Sequence, residues 1–286
     1  MTRTTNRRRF LQVAIGSVAA SIVGCSHDDS PELPPVLSED VAFAFDAAGN
    51  RYEMDFRRDE VRRVEAGGAV AWRQGSLSDP DLFNSPTSMV VDAQGTVYVA
   101  DRGNGEVDTL NADGRLRSTF GQDLLTAEDI ALDAAGSTLY VSDGAAHRIQ
   151  VFGLEGAALR TIGAFGTDAG GLNRPRGIAI SPRGELHVVD SGNGRIQVYA
   201  SSGAFLRSYG GSTADAGALQ IPRDIVFDAH GSAIVSDTMS NRLAWFDEGG
   251  AFRRHTEFVR ADGKVGAPLY LAIGPGNRLY ATVTFA

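Results

Sequence analysis

Four aspartates recur at nearly regular spacing, and carboxylates in such a series could bind a divalent cation. Each ends a similar short apolar segment, and they are Asp101, Asp143, Asp190 and Asp237. Successive aspartates are 42, 47 and 47 residues apart. Residues so far apart are not expected to share one ion. An aspartate that ends a strand also accepts hydrogen bonds from the amides of the next turn. Three of the four are followed five residues later by an arginine that can brace that turn: Arg148, Arg195 and Arg242. We therefore expect structural roles for these acids.

The histidines offer little for zinc chemistry. His147 and His230 fall in predicted turns, and His255 falls in a predicted outer strand. His187 stands where parallel phrases carry tyrosine, which predicts a packed core residue. No two histidines have ligand spacing on one element. The sequence therefore favours no histidine-based zinc site.

A repeated four-strand unit must position these aspartates and histidines, and its clearest copy is residues 172–212. Short apolar runs at 177–180, 186–189, 195–199 and 205–209 are separated by glycine, asparagine, aspartate and serine. Four strands of about 4–6 residues joined by tight turns predict an antiparallel meander. A unit of ~40–50 residues with four strands, repeated along the chain, is typical of a propeller blade.

Residues 175–210, PRGIAISPRGELHVVDSGNGRIQVYASSGAFLRSYG, resemble an NHL repeat. Residues 41–286 together resemble an NHL-type six-bladed β-propeller, which implies an all-β fold of four-stranded antiparallel blades. The predicted blades are 41–76, 82–122, 124–166, 172–212, 219–258 and 265–286. The last blade has only two strands, and we expect residues 35–40 to return as its outer strand.

The strongest candidate site lies where the innermost strands begin, because these starts converge on one mouth of a propeller channel. The side chains there include acids, bases and one tyrosine: Glu128, Asp129, Arg176, Arg223, Asp224 and Tyr270. Two adjacent arginines can hold a carboxylate or phosphate of a ligand. Alternatively, Arg176 and Arg223 form ion pairs with the three acids and serve only to hold neighbouring blades together. Both alternatives stay open from the sequence.

The resemblance also implies two enzyme alternatives. NHL-type amidating lyases bind zinc through histidines beside the proline that opens an innermost strand, but here the following residues are Thr87, Arg176, Arg223 and Leu269. A lactonase-type propeller gathers acids and an asparagine on one metal, and no recognisable set is present. The sequence thus predicts no cofactor. A bound calcium or zinc ion is expected only if the protein is an enzyme of one of these two kinds.

The first 25 residues predict export rather than fold. Arg7 and Arg8 lie in NRRRFLQ, which resembles a twin-arginine signal, and the apolar run at 11–24 is shorter than the ~20 residues of a typical membrane span. IVGC at 22–25 resembles a lipobox, so Cys25 is the expected lipidation site. Residues 26–40 are a polar, proline-rich tether.

Net charge argues against nucleic acid as a partner. The formal charge is −8, and it becomes −12 without residues 1–24, which hold four arginines and no acid. Nucleic-acid binding depends on cations that neutralise phosphates. We therefore predict a monomeric, lipid-anchored propeller in a bacterial envelope that binds a protein, peptide or small polar ligand. The alternative is a propeller-type lyase or hydrolase with a divalent cation at the channel mouth.

Overall fold

The computed structural model describes residues 10–15, 18–24, 36–38, 40–75, 82–133, 135–211, 215–260 and 262–285. These residues form β-strands and two single 3₁₀ turns, Ser191–Asn193 and Pro275–Asn277. No helix in this part of the chain has the length and apolar character needed to cross a membrane. The predicted all-β class is confirmed. The predicted signal and lipidation residues Arg7, Arg8 and Cys25 lie outside the described residues.

Four sheets are four-stranded antiparallel meanders that follow one another along the chain. Their strands are β4 (Val41–Phe45), β5 (Arg51–Asp55), β6 (Glu60–Val64), β7 (Val70–Gly75), β8 (Pro86–Val91), β9 (Val97–Asp101), β10 (Glu106–Leu110), β11 (Leu116–Phe120), β12 (Ala127–Leu132), β13 (Thr138–Asp143), β14 (Arg148–Gly153), β15 (Ala158–Ile162), β16 (Pro175–Ile180), β17 (Leu186–Asp190), β18 (Arg195–Tyr199) and β19 (Phe205–Tyr209). Each sheet contributes its first strand to the inside of the ring, where β8, β12 and β16 are neighbours.

The fifth sheet begins as another meander and then continues. Its strands are β20 (Pro222–Phe227), β21 (Ala233–Asp237), β22 (Arg242–Phe246), β23 (Phe252–Arg260), β24 (Val265–Gly274) and β25 (Arg278–Phe285). Residues Phe258 and Val259 of β23 pair with Gly266 and Val265 of β24.

The propeller therefore has five blades, and the prediction of six is wrong. The outer strand β23 has nine residues, against five in the outer strand β19. That extra length lets it hydrogen-bond directly to the C-terminal hairpin, so the expected sixth blade is a continuation of the fifth sheet. β24 also contacts β4, and this closes the ring against the first sheet.

The N-terminal segment does return to the C-terminal hairpin, as predicted. Strand β3 (Val36–Ser38) pairs with Tyr280 to Thr282 of β25, although in parallel rather than antiparallel orientation. Farther upstream, β1 (Phe10–Ile15) and β2 (Val18–Gly24) form a hairpin, and β2 pairs with the end of β23.

The core lies between neighbouring sheets rather than at the centre of the ring. One hydrophobic cluster, for example, packs Met54 and Val61 of the first sheet against Val97 and Val99 of the second. Each of the four remaining clusters likewise joins adjacent parts of the ring. Burial of these apolar faces stabilises the ring, because a single meander leaves both of its faces in water.

The recurring aspartates have the structural role expected of them. Asp190 is fully buried, and it accepts hydrogen bonds from the Asn173 amide at 2.6 Å and from Arg195 Nε at 2.8 Å. Arg148 and Arg242 brace the corresponding acids of β13 and β21 in the same way. Each of the four aspartates also accepts a hydrogen bond from an amide in the loop before the innermost strand of its own sheet. This bond ties the loop to the end of the second strand, and the sequence did not predict it.

Candidate functional site

Residues near the starts of three innermost strands, β12, β16 and β20, meet Tyr270 from the middle of β24 at one mouth of the channel. The convergence is as predicted, although β24 begins earlier than expected. They line a cavity of about 10 Å³, which is roughly the space of one water molecule. Its lining consists of Glu128, Asp129, Arg176, Gly177, Arg223, Asp224 and Tyr270. All six candidate residues from the sequence therefore lie at one site, and Gly177 is the single addition.

β-Bulges position these side chains. The pairing register shifts near the start of β12, β16 and β20, for example between Pro175 and Ile178, and in the middle of β24. A bulge bends its strand and re-aims the side chains beside it. At Gly177 the strands approach so closely that an added Cβ atom would lie 2.5 Å from Asp224 Cα. Only glycine fits this position without moving the backbone of β20.

The two aspartates of the site each join their innermost strand to the next innermost strand of the ring through a backbone amide. Asp129 Oδ2 accepts a hydrogen bond from the Ile178 amide at 2.6 Å, and Asp224 Oδ2 accepts one from the Leu271 amide at 2.7 Å. The acids therefore hold neighbouring innermost strands together through amides, and not through the arginine pairs of the second alternative from the sequence. Among the described residues, no ion pair within 4.0 Å joins Arg176 or Arg223 to an acid.

Burial makes both carboxyl groups easier to protonate. It raises the pKa of Asp129 to about 6, although hydrogen bonds from Ser88, Ile178 and Ile130 act in the opposite direction. Burial also raises the pKa of Asp224 well above its usual value, and the negative charge of Asp129 adds to this effect. Near neutral pH the site therefore carries less negative charge than its acids alone suggest.

The two arginines have different surroundings. Arg223 Nη2 donates to the Tyr270 hydroxyl at 2.5 Å, and its guanidinium carbon lies 4.7 Å from the centre of the Tyr270 ring. Its Nε is buried without a hydrogen-bond acceptor in the part of the chain that the structure describes. Burial lowers the pKa of Arg176, and repulsion from Arg223 lowers it further. Glu128, the third acid of the site, forms an ion pair with Arg102, whose Nε lies 3.3 Å from Glu128 Oε1.

This arrangement can hold an anion. Two half-buried guanidinium groups that repel each other gain from a shared negative group, and guanidinium binds carboxylate or phosphate through paired hydrogen bonds. Within the described ranges, no group of three or more His, Cys, Asp or Glu residues is placed to hold a metal ion.

A second, larger space was not predicted from the sequence. It is an open groove of about 520 Å³ between the β4–β5 turn and Gly274–Pro275. Its lining contains one charged residue, Asp46, whose carboxylate already accepts hydrogen bonds from the Ala48 and Asn50 amides. The groove therefore lacks the convergent polar groups that distinguish the channel mouth.

The histidines are placed as expected. His187 is 2% exposed, and its Nδ1 lies 3.0 Å from the Tyr209 hydroxyl, so it is a packed core residue. His147 occupies a turn, where its Nδ1 accepts a hydrogen bond from the Arg174 amide. His255 lies in the outer strand β23.

Comparison with known sequences identifies the repeat. The NHL repeat model matches residues 83–107 and 172–199, which fall in the second and fourth sheets. The chain is thus a β-propeller in which two segments match the NHL repeat. Protein brain tumor of Drosophila melanogaster is 26% identical over 111 residues, which cover 36% of this chain. The match spans only 10% of that much longer protein.

Solved structures share the fold at low sequence identity. Virginiamycin B lyase from Staphylococcus aureus has a TM-score of 0.64 and 13% identity, with 98% of this chain and 96% of that chain covered. XC5397 from Xanthomonas campestris, a gluconolactonase, has a TM-score of 0.64 and 16% identity, covering 98% and 94%. A chain of the nidogen/laminin complex has a TM-score of 0.59 and 21% identity, covering 85% of each chain. The distant structural neighbours thus include a lyase and a lactonase, and at these identities the likeness concerns the fold.

Proposed function

We propose that the protein is a binding module whose channel mouth holds an anionic group, a carboxylate or a phosphate, of a peptide, protein or small polar ligand. The observation that carries this proposal is the pair Arg176 and Arg223. The two guanidinium groups line one cavity, and neither has an acidic partner within 4.0 Å among the described residues.

The size of the cavity limits how a ligand is held. A space of about 10 Å³ admits a water molecule but not a whole metabolite. The anionic group therefore sits at the opening, within reach of Arg176 and the Tyr270 hydroxyl, and the rest of the ligand extends over the face of the ring. This arrangement suits a terminal carboxylate or phosphate.

The proposal predicts a loss of affinity in Arg176→Ala. A hydrogen bond to a charged group contributes about 1.5–3 kcal/mol, so the variant should bind about 10- to 100-fold more weakly. Isothermal titration calorimetry with N-acetyl-Ala-Ala measures the Kd of both chains, and inorganic phosphate serves as a second probe. The C-terminal amide of the same dipeptide is the neutral control and should not bind.

Arg183→Ala is the matched control variant. Arg183 is 62% exposed and pairs with Glu248, away from the cavity, so its loss removes the same charge without touching the site. Equal weakening by both variants would show that the probe responds only to net charge and would refute the site. Unchanged affinity in Arg176→Ala would refute it as well.

Affinity for the dipeptide should also rise as pH falls from about 8 to 5.5. Asp129, with its pKa near 6, takes up a proton over this range, whereas the carboxylate of the probe titrates below it. The mouth, which also contains Glu128 and Asp224, then becomes more positive. Falling affinity on acidification would contradict this account.

We further propose that the module works outside the cytoplasmic membrane on a lipid anchor. The support is the sequence alone, namely the arginine pair at Arg7 and Arg8 and the lipobox-like IVGC that ends at Cys25. Cys25→Ser should move the protein from the membrane fraction to the soluble fraction and abolish metabolic labelling with a fatty acid. Labelling that persists in the variant would refute the anchor.

A further inference from the structure

Two exposed apolar side chains lie beside the channel mouth on the fifth sheet. Met239 is 65% exposed, and Ile221 is 45% exposed. Met239 lies in the turn that joins β21 to β22, and Ile221 directly precedes β20. The Thr238 amide donates to the Ile221 carbonyl at 3.2 Å, so a backbone hydrogen bond joins the two segments. We call Ile221 and Met239 the apolar pair.

The apolar pair lies at the same end of the ring as the mouth. In an antiparallel meander, the start of the first strand and the end of the second strand share one edge. Ile221 is two residues before Arg223, whose Nη2 donates to the Tyr270 hydroxyl. Thr238 donates its hydroxyl to the Pro268 carbonyl of β24, the strand that carries Tyr270. The apolar pair therefore flanks the Arg223 side of the anion site.

The third sheet shows that the fold does not require large apolar side chains at these two positions. There the same backbone hydrogen bond runs from the Gly144 amide to the Thr126 carbonyl. Thr126 and Ala145 occupy the positions that correspond to the apolar pair. Single exposed apolar residues are common on protein surfaces. The apolar pair differs because its members are joined to each other and to the anion site, so a ligand held there can bury both.

This combination of groups selects for one kind of ligand. The guanidinium groups take a carboxylate, and the apolar pair takes an apolar group that is attached close to that carboxylate. Ile221 and Arg223 are two residues apart, a span of at most about 7 Å in extended chain. The last two residues of an extended peptide cover the same length. A polypeptide that ends in apolar residues therefore supplies both groups at the right separation.

We propose that the mouth binds the free C-terminus of a polypeptide whose last residues are apolar. The terminal carboxylate lies at Arg176 and Arg223, and the neighbouring side chain packs on the apolar pair. This inference rests on the proposed function and narrows its ligand from any anionic group to an apolar C-terminus.

The test compares two peptides on the full chain by isothermal titration calorimetry at pH 7. N-acetyl-Ala-Ala reports on the anion site, and N-acetyl-Leu-Leu adds larger apolar side chains beside the same carboxylate. We expect N-acetyl-Leu-Leu to bind about 10-fold more tightly, because partial burial of two leucine side chains is enough for a tenfold difference. The C-terminal amide of N-acetyl-Leu-Leu should not bind.

The double variant Ile221→Thr, Met239→Ala copies the residues of the third sheet and should therefore fold. The ratio of the two affinities should fall from about 10 to about 2 or less. The matched control is Leu116→Ala, Leu206→Thr, because these residues are 47% and 45% exposed but lie in the outermost strands β11 and β19. In this control the ratio should stay near that of the unmodified chain.

The outcomes separate this inference from the proposed function. If neither peptide binds, the anion site is refuted and the inference fails with it. Equal affinities in the unmodified chain leave the anion site standing and overturn the apolar C-terminus. An unchanged ratio in the folded double variant, binding of the amide, or tighter binding of decanoate than of N-acetyl-Leu-Leu would also overturn it. If the double variant does not fold, Met239→Ala alone gives the same comparison.

Discussion

Replacing Asp190 by alanine should lower the free energy of unfolding by about 3–5 kcal/mol, the usual cost of removing one partner from a buried ion pair. The carboxylate is fully buried and accepts hydrogen bonds from the Asn173 amide, Asn193 Nδ2 and Arg195 Nε. Its loss leaves a partly buried guanidinium without its anion and frees the loop before β16. This loop leads directly to Arg176, so the loss should also loosen the channel mouth.

Urea unfolding followed by tryptophan fluorescence measures this effect. Asp113→Ala is the matched control, because that acid is 56% exposed and pairs with Arg115, which is 81% exposed. Exposed pairs contribute about 0–1 kcal/mol, so the control should unfold almost as the unmodified chain does. Similar losses in both variants would mean that the buried acids do not organise the blades.

The second large effect is expected for Gly177→Ala. The added methyl carbon would lie 2.5 Å from Asp224 Cα and 2.8 Å from the Arg223 carbonyl oxygen. Both are backbone atoms that no side-chain rotation can move. Overpacking costs about 1–3 kcal/mol, and the displacement of β20 should also shift Arg223 and reduce affinity for the dipeptide probe.

Gly67→Ala provides the comparison for this variant. No heavy atom lies within 4 Å of a Cβ built at Gly67, and its backbone is outside the left-handed region. We expect a change within about 0.5 kcal/mol and unaltered affinity. A Gly177→Ala chain with normal stability and normal affinity would contradict the close approach of β16 and β20.

Repetition made much of the architecture and the location of the site predictable. Because each innermost strand starts at a similar place in its repeat, Glu128, Arg176 and Arg223 could be assigned to one mouth without coordinates. The core position of His187 followed from the tyrosines in the same slot of other repeats.

The remaining features depend on pairing that residue types do not encode. The prediction of a sixth blade failed because β23 continues to Arg260 and hydrogen-bonds to β24. The sequence gives only a weak signal for where a strand ends. One alternative from the sequence paired Asp129 and Asp224 with arginines, but they accept hydrogen bonds from the amides of Ile178 and Leu271, because bulges leave those N–H groups free to bond the preceding innermost strand. Only the observed register distinguishes these alternatives.

The central claim is that Arg176 and Arg223 form an anion site at the channel mouth. Anomalous diffraction from crystals of the full chain soaked in selenate tests it most directly, with Arg176→Ala crystals as the comparison. The account predicts a selenium peak within hydrogen-bonding distance of both guanidinium groups, absent from the variant. Selenium peaks confined to other arginines, with Arg176 paired to Glu128 instead, would contradict it.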